Sequence, residues 1–350
     1  MGKKVLFLAP KVANIYLDII AELERQQYEV DYFEYKSYKL DPHYLKGYVK
    51  YGRVFTSKLI SSFIIKRDWK KLLASEPYNK VYDYLFVIDG YSLHPCLFEI
   101  LRERNPQLKA INYLFDTCRS NYEFNVHFPY FDKVATFDIE DSRKYHVGLL
   151  PIYWIEYEGG EVEQDIDMFG MGACIEGRYQ LFHKLKEYSD KHHLNSIIKL
   201  YSSRLSNKTL YSFKYKIVEF LSSRSVMTPP EWHNSPLITH ELLPTSQYRE
   251  LIKRSKIILD SNAAHQDGLT ARFMWALGEE AKIVTTNVAV KKYDFYTLEQ
   301  IYVIDNIDSF SPGEDFDEFV KTPLIMQKDH REIIRRYRID NWINTLFNGV

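Results

Sequence analysis

A polar turn between two apolar runs carries the residue types that best suit the binding of an anion. The run KIILD, residues 256–260, predicts a buried strand, and the turn after it leads into a helix-like run. The amides that open a helix lack intrahelical partners and carry a partial positive charge, which suits a diphosphate. Arg272 would add a guanidinium within the first turn of this helix. The candidate binding residues are Gln266, Asp267, Gly268, Leu269, Thr270 and Arg272.

The same turn also fits an ordinary helix start that binds no ligand. In this alternative, Asp267 or Thr270 accepts hydrogen bonds from the first amides of the helix as an N-cap. Both interpretations place the start of the helix near Leu269 and Thr270.

The composition is typical of a globular protein with more than one domain. The chain has 350 residues, of which 45% are hydrophobic, and this length exceeds the range in which one hydrophobic core keeps growing. A net charge of −1 predicts no nucleic-acid partner. Cys96, Cys118 and Cys174 lack the spacing of a zinc site, so we expect reduced thiols in a cytoplasmic protein. No apolar run approaches the roughly 20 residues that span a bilayer.

Strand-like and helix-like runs alternate through both halves of the chain. KKVLFLAP (3–10), YDYLFVIDG (82–90) and LKAINYLFD (108–116) predict buried strands separated by helices, and a second series of alternating runs begins near residue 168. This order predicts parallel pairing with right-handed crossovers. We therefore predict an α/β protein with two Rossmann-like, doubly wound parallel-sheet domains that face a cleft.

The acidic stretch EYEGGEVEQDID, residues 156–167, has no apolar period and predicts the domain boundary. The predicted domains are residues 1–155 and 156–328, followed by a C-terminal helix, 329–350, that packs back on the N-terminal domain. In open α/β sheets, ligands bind beyond the carboxyl ends of the strands, so each domain would offer a ligand site there.

Four parts of the chain together resemble one enzyme family. They are QDGLTARFMWALGEEAKIVTTN with the following KKYDFY, YLFDTCRSNY, YFDKVATFDIEDSRKY and GLLPIYW. They are similar to segments of bacterial glycosyltransferases of the GT-B type, particularly the capsular and lipopolysaccharide biosynthesis group related to the CgeB-like family. The resemblance is densest in residues 108–154 and 250–305 and covers the greater part of the chain.

The resemblance implies transfer of a sugar from a nucleotide-sugar donor to a glycan or lipid-linked glycan acceptor in surface polysaccharide synthesis. It implies that the C-terminal domain binds the donor and the N-terminal domain the acceptor, with no essential metal and no cofactor beyond the nucleotide-sugar substrate. Two alternatives stay open. One is a catalytically silent nucleotide- or sugar-binding module of the same fold, and the other is a nucleotide-sugar epimerase of GT-B shape.

The family pattern also assigns residues to the donor. Asp267 matches the acidic residue before Gly-Leu, and Arg178 is the basic residue expected after the first strand of the donor domain, with Lys184 a weaker candidate. The alternative for Arg178 is a solvated arginine at a helix start. The position at which the family has a ribose-binding glutamate is Trp275 here, which cannot accept a hydrogen bond and either packs in the core or stacks on a base or sugar. The glycines near Arg178 do not form GxGxxG, which argues against a dehydrogenase.

An inverting transfer needs a base that takes the proton from the acceptor hydroxyl. Asp116 and Asp89 end predicted strands of the N-terminal sheet, and His94 follows Asp89 closely. Asp116 is preferred because it lies in a segment that resembles the family. Its alternative role is the cap of a helix that begins near Ser120.

A basic stretch could bring the protein to a membrane. Nine Lys or Arg residues but only two Asp lie from Lys39 to Lys71, and aromatic residues are interspersed among them. A basic amphipathic helix with aromatic residues suits anionic lipid head groups, which would place the protein peripherally on the inner face of the cell membrane. The alternative is a solvated face over a buried apolar stripe.

Overall fold

The computed structural model describes residues 2–11, 14–34, 54–90, 93–119, 124–156, 162–175, 177–202, 230–262 and 266–349. The chain divides into two compact units. The first is formed by Met1–Tyr153 with Tyr337–Val350, and the second by Trp154–Arg336. Each unit contains a six-stranded sheet whose neighbouring strands pair in parallel.

The strands of the first unit are β1 Lys4–Leu8, β2 Glu29–Phe33, β3 Tyr84–Ile88, β4 Lys109–Leu114, β5 Lys133–Thr136 and β6 Gly148–Leu149. Its α-helices are α1 Ile15–Arg25, α2 Val54–Leu73, α3 Pro95–Arg104 and α4 Ile139–Tyr145, and a 3-10 helix spans Phe124–Tyr130. The sheet order is β2-β1-β3-β4-β5-β6. Because the chain winds outward in both directions from β1, the topological switch point lies between β1 and β3, where open α/β sheets bind ligands.

The strands of the second unit are β7 Ile166–Ala173, β8 Ser196–Tyr201, β9 Ile238–Thr239, β10 Ser255–Asp260, β11 Lys282–Thr285 and β12 Ile301–Val303. Its α-helices are α5 Arg178–Lys191, α6 Thr245–Lys253, α7 Ala271–Gly278, α8 Glu314–Lys321 and α9 Lys328–Arg335, and 3-10 helices span Pro230–Asn234 and Val288–Lys292. The sheet order is β12-β11-β10-β7-β8-β9. Its switch point therefore lies between β7 and β10.

The end of the chain corrects one prediction. The run that was predicted as one helix forms α9 and a separate helix, α10 Ile339–Phe347, with Arg338 extended between them (φ −68°, ψ 150°). Ile334 is buried in the second unit, whereas Trp342 is fully buried in the first against the rings of Tyr113 and Tyr153. The interruption therefore lets the apolar side chains of α9 pack in the second unit and those of α10 pack in the first. The sequence did not reveal this interruption because its apolar residues follow one continuous helical pattern.

The basic stretch is described only from residue 54 onward, and the predicted patch before it lies outside the described residues. Within α2, Trp69 is fully buried in the core of the first unit. Phe63, Lys66, Arg67 and Lys70 are exposed. The described part of α2 therefore has a buried apolar stripe and a basic outer face. No helix in the described part of the chain is both long and apolar enough to cross a bilayer.

Candidate functional site

The turn before α7 is fixed by a helix cap. Thr270 is extended, and its Oγ1 accepts a hydrogen bond from the amide of Phe273 (3.1 Å). The same hydroxyl donates to Oδ1 of Asp260 at the end of β10 (2.7 Å). Thr270 therefore takes the capping role of the alternative interpretation, and its hydroxyl is held between helix and strand.

Backbone contacts hold the rest of the turn. Nδ2 of Asn287 donates to the carbonyl oxygens of Asp267 and Gly268, both at 3.1 Å, and Nδ2 of Asn262 donates to the carbonyl of Gln266 (2.6 Å). Leu269 is fully buried, so its side chain anchors the turn in the core instead of offering a ligand contact. Asp267 is exposed. The side chain of Asp267 is therefore accessible to a ligand at this turn.

Arg178 and Arg272 converge on one glycine at the switch point of the second unit. A Cβ on Gly172, near the end of β7, would lie 2.9 Å from Nη1 of each arginine. Arg178 donates to Oγ and to the carbonyl oxygen of Ser261 (2.6 and 2.7 Å) and to the carbonyl of Ala173 (2.9 Å). Arg272 donates to the carbonyls of Ser261 and Met171, both at 3.3 Å. The chain thus places two guanidinium groups side by side at the carboxyl ends of β7 and β10.

The burial of Arg178 excludes the solvated-arginine alternative. Its exposure is only 8%, whereas the side chain of Arg272 remains 20% exposed. Burial, and then the positive charge of Arg272, lower the pKa of Arg178 to about 10, so both arginines stay protonated at neutral pH. Lys184, the weaker candidate, instead donates to the carbonyl of Ile307 (2.8 Å).

The arginine pair has one buried carboxylate as its counter-charge. Oδ1 of Asp260 lies 3.5 Å from Nε of Arg272. Tyr248 donates to the carbonyl of Met171 (3.0 Å), and burial raises the pKa of Tyr248 to about 12, so this phenol stays neutral. Counted over the described residues, two guanidinium charges against one carboxylate charge give this cluster a net charge of +1. A partly exposed excess of positive charge at the end of a parallel sheet is suited to an anion.

Trp275 packs in the second unit, as the core interpretation predicts. It is 8% exposed, the guanidinium carbon of Arg249 lies 4.4 Å from the centre of its ring, and the ring of Tyr248 meets it edge-on. Its Nε1 has no hydrogen-bond partner among the described residues. Trp275 therefore packs in the core at this position of α7 and offers no group that accepts a hydrogen bond.

The first unit brings Asp89 and Asp116 together at its own switch point. Asp89 follows β3 with a positive φ of 64° and is 4% exposed. Its Oδ1 accepts hydrogen bonds from the amides of Phe115 (2.7 Å) and Asp116 (3.1 Å). The buried carboxylate of Asp89 thus holds the chain after β4, and this contact positions Asp116.

Asp116 is half-buried at the wall of a cavity of about 180 Å³. The cavity lies beyond β1, β3 and β4, and most of its lining is aliphatic or aromatic. Residues 120–123 lie outside the described part of the chain, and the next described helix begins at Phe124. The predicted capping of a helix near Ser120 therefore also falls outside the described residues.

His94, the third predicted catalytic candidate, caps a helix in the structure. It is the N-cap of α3, and its Nδ1 accepts a hydrogen bond from the amide of Cys96 (3.1 Å). Burial, followed by the positive charge of Lys66, lowers the pKa of His94. The described lining of the cavity contains Asp89 and Asp116 but not His94, so the structure assigns His94 to helix capping.

Sequence reasoning missed several residues that build the site. They are Gly172, Asp260, Ser261 and Asn287. Asp260 and Asn287 are the polar residues that end the apolar runs KIILD and KIVTTN, and a glycine inside a strand commonly marks a close approach of another group. In the described residues, no group of three or more His, Cys, Asp or Glu side chains is arranged to hold a metal ion.

No protein-family model and no curated protein matches this chain. Solved structures do match it over nearly its full length. An α,α-trehalose-phosphate synthase (UDP-forming) from Burkholderia vietnamiensis has a TM-score of 0.57 and 12% identity, with 99% of this chain and 96% of that chain covered. The α,α-trehalose 6-phosphate synthase from Burkholderia multivorans has a TM-score of 0.57 and 11% identity, with 99% and 97% covered. Likeness at this identity shows the fold, and it confirms the predicted α/β, GT-B-like fold with two doubly wound parallel sheets.

Proposed function

We propose that this chain is a glycosyltransferase that moves a sugar from a nucleotide-sugar donor to an acceptor hydroxyl. The observation that carries the proposal is the pair of guanidinium groups, Arg178 and Arg272, which converge at Gly172 with Asp260 as their one carboxylate. The pair lies at a topological switch point beside the start of a helix. This combination suits the diphosphate of a donor.

The arginine pair would act on the leaving group. When the bond between the sugar and the diphosphate breaks, negative charge develops on the departing phosphate oxygen. The two guanidinium groups, which together with Asp260 carry a net charge of +1, would stabilise that charge without a metal ion, and they need little reorganisation because backbone carbonyls hold them in place. Asp267, exposed at the turn, would accept hydrogen bonds from the sugar hydroxyls.

Asp116 would act on the acceptor in the first unit. The acceptor oxygen attacks the anomeric carbon, its proton passes to the Asp116 carboxylate, and the nucleoside diphosphate leaves with the electrons of the broken bond. Asp89 serves as a positioning residue, because its carboxylate binds the amide of Asp116. The synthase of similar fold from Burkholderia vietnamiensis is UDP-forming, so UDP-sugars are the first donors to test.

The finer parts of the proposal rest on the resemblance and on α2. The four resembling segments support the capsular and lipopolysaccharide group related to the CgeB-like family, whose acceptors are glycans or lipid-linked glycans. The exposed basic face of α2, with Phe63 projecting beside Lys66, Arg67 and Lys70, supports docking to an anionic membrane surface, where each basic residue contributes about 1 kcal/mol.

A second candidate function is a binding module that holds a nucleotide or sugar without transferring it. Trp275 favours this candidate, because its buried ring replaces the group that would bind the donor ribose. The two functions differ in turnover. A binding module would retain nucleotide affinity and release no nucleoside diphosphate.

The direct test measures the nucleotide released from a panel of UDP-, GDP- and CMP-sugars in the presence of mixed acceptors. The product is UDP or GDP for the first two donors and CMP for the third. We expect wild-type turnover with one donor base, and a loss of about 100-fold or more in Asp116→Asn, since general bases contribute about 10²–10⁴-fold. Asp305→Asn is the matched control, because Asp305 lies on the surface in an ion pair with Lys291. Nucleotide binding without turnover by any wild-type combination would favour the binding module.

A further inference from the structure

We infer that the cavity in the first unit binds a compact, largely apolar ring that carries a single hydroxyl, of the size of phenol or cyclohexanol. This inference rests on the proposed function in one respect: the hydroxyl of this ring is the one that accepts the sugar. The ligand class itself follows from the volume of the cavity and from the distribution of its polar groups.

The walls of the cavity are mostly apolar. Ile15 and Ile19 come from α1, Ile88 ends β3, and Ile152 follows β6. Ile19 is fully buried, and Ile88 and Ile152 are nearly so. A hydroxyl group that leaves water for such a wall without a hydrogen bond costs about 1–3 kcal/mol. A fully hydroxylated hexose would pay this cost at several positions, whereas a ring with one hydroxyl would not.

Aromatic side chains add flat surface to the same walls. Tyr16 lines the cavity and stacks on Tyr32, with ring centres 4.9 Å apart and ring planes 20° from parallel. Phe115 lines it as well, and its ring meets that of Tyr113 at 5.0 Å. Because neighbouring rings hold both aromatic side chains, they offer fixed faces for the packing of a flat or chair-shaped ring.

The volume selects the size of the occupant. The cavity measures about 180 Å³, and an apolar protein cavity of about 150 Å³ lined by Leu, Ile and Phe binds benzene. One six-membered ring with a small substituent therefore fits, and because the cavity is partly open to solvent, the rest of a larger molecule would lie outside it. For a larger acceptor, only the ring that carries the reacting hydroxyl would enter.

The polar groups of the lining orient that ring. Oδ1 of Asp89 accepts two backbone amides, so this oxygen is committed to the protein. Asp116 is the more exposed of the two carboxylates in the lining, and it would accept the hydrogen bond of the ring hydroxyl beside the contacts that it makes within the protein. Carboxylates beside aromatic rings would also suit an ammonium group, so a ring of the same size that carries an amine is the main alternative ligand.

The inference is tested on the full chain without any nucleotide sugar, by ligand-observed NMR titration. The probes are phenol and cyclohexanol, with cyclohexylamine and methyl α-glucoside as competitors of different chemistry. We expect saturable binding of both ring alcohols, tighter than that of the amine or the glucoside. Tighter binding of cyclohexylamine or of methyl α-glucoside, or no binding of either alcohol, would overturn the inference.

Single substitutions test whether the ring alcohols bind in this cavity. Ala9→Leu adds three carbons at the cavity wall and should weaken cyclohexanol binding by at least about 10-fold, or 1.4 kcal/mol. Ala74→Leu makes the same change at an exposed position after α2 and should leave it unchanged. If thermal unfolding shows that Ala9→Leu does not fold, Ile15→Phe at the half-buried mouth replaces it. Equal affinity in wild type and a folded cavity variant would place the ring elsewhere and refute the assignment.

The outcome separates this inference from the proposed function. If the ring alcohols bind in the cavity but no nucleotide sugar is turned over, the ligand class stands and the transferase proposal fails. If nucleotide sugars are turned over but the alcohols do not bind, the transferase proposal stands and the inference fails.

Discussion

Replacing Gly172 by alanine perturbs the arginine pair while both arginines stay in the sequence. The new Cβ would lie 2.9 Å from Nη1 of Arg178 and 2.9 Å from Nη1 of Arg272, closer than real Cβ contacts allow. Backbone carbonyls hold both arginines, but the side chain of Arg272 is 20% exposed and Arg178 only 8%, so Arg272 is the one that the new Cβ would displace. We therefore expect the substitution to separate the two guanidinium groups.

The expected magnitude follows from the contacts at risk. A hydrogen bond that involves a charged group contributes about 1.5–3 kcal/mol, and the two Nη1 atoms each donate one such bond, to Ala173 and to Met171. Losing one of them predicts a stability loss of about 2 kcal/mol. Losing one guanidinium contact to a bound diphosphate predicts roughly 10- to 100-fold weaker nucleotide binding.

Urea unfolding and calorimetric titration with UDP measure the two effects separately. Gly313→Ala is the matched control, because Gly313 precedes α8 with a negative φ and the nearest atom to an added Cβ is 3.5 Å away. We expect the control to match wild type in both assays. If Gly172→Ala binds the nucleotide as tightly as Gly313→Ala does, the arginine pair is not the anion site and the reasoning is refuted.

Three further predictions test other parts of the structure. Asp89→Gly removes the carboxylate that accepts the amides of Phe115 and Asp116, and glycine tolerates the positive φ at this position. It should lower turnover while leaving nucleotide affinity unchanged; an unchanged turnover number would contradict the positioning role. Lys70→Glu should reduce co-sedimentation with vesicles of phosphatidylserine by reversing a charge on the basic face of α2, whereas equal sedimentation would remove the membrane proposal. Burial, followed by the positive charge of His94, lowers the pKa of His127 to about 4. Between about pH 6.5 and 4, His127 therefore binds a proton in the unfolded chain more readily than in the folded protein. Stability should therefore fall as the pH falls through this range and fall less in His127→Gln, as urea unfolding at each pH would show; parallel losses in both proteins would contradict it.

The sequence was sufficient to predict two parallel α/β sheets and the longer apolar strands, but not the short strand β9 or the strand order. The apolar runs of β1, β3, β4 and β10 are buried because parallel strands are covered on both faces, and such runs are legible in a sequence. Asp89 and Asp116 follow β3 and β4 at the carboxyl ends where ligands bind in this fold class, and Thr270 contacts Asp260 at the end of β10.

The roles of individual side chains depend on contacts that are distant in sequence. Arg178 is buried by Ser261, which lies 83 residues away, and the turn at Asp267 is held by Asn287. No local pattern encodes these pairs. The positive φ of Asp89 likewise follows from tertiary packing that orients its carboxylate toward the amides after β4. The break between α9 and α10 was missed because the two apolar stripes share one helical period.

The most direct test of the central claim is a calorimetric titration of UDP, GDP and CMP into wild type, Arg272→Ala and Arg336→Ala. Arg336 is 68% exposed and pairs with Asp294 on the surface of the same unit, so it controls for the loss of one arginine. The account predicts that wild type and Arg336→Ala bind one of these nucleotides equally well and that Arg272→Ala binds it roughly 10- to 100-fold more weakly. Equal affinity in all three proteins, or no binding of any nucleotide by wild type, would contradict it.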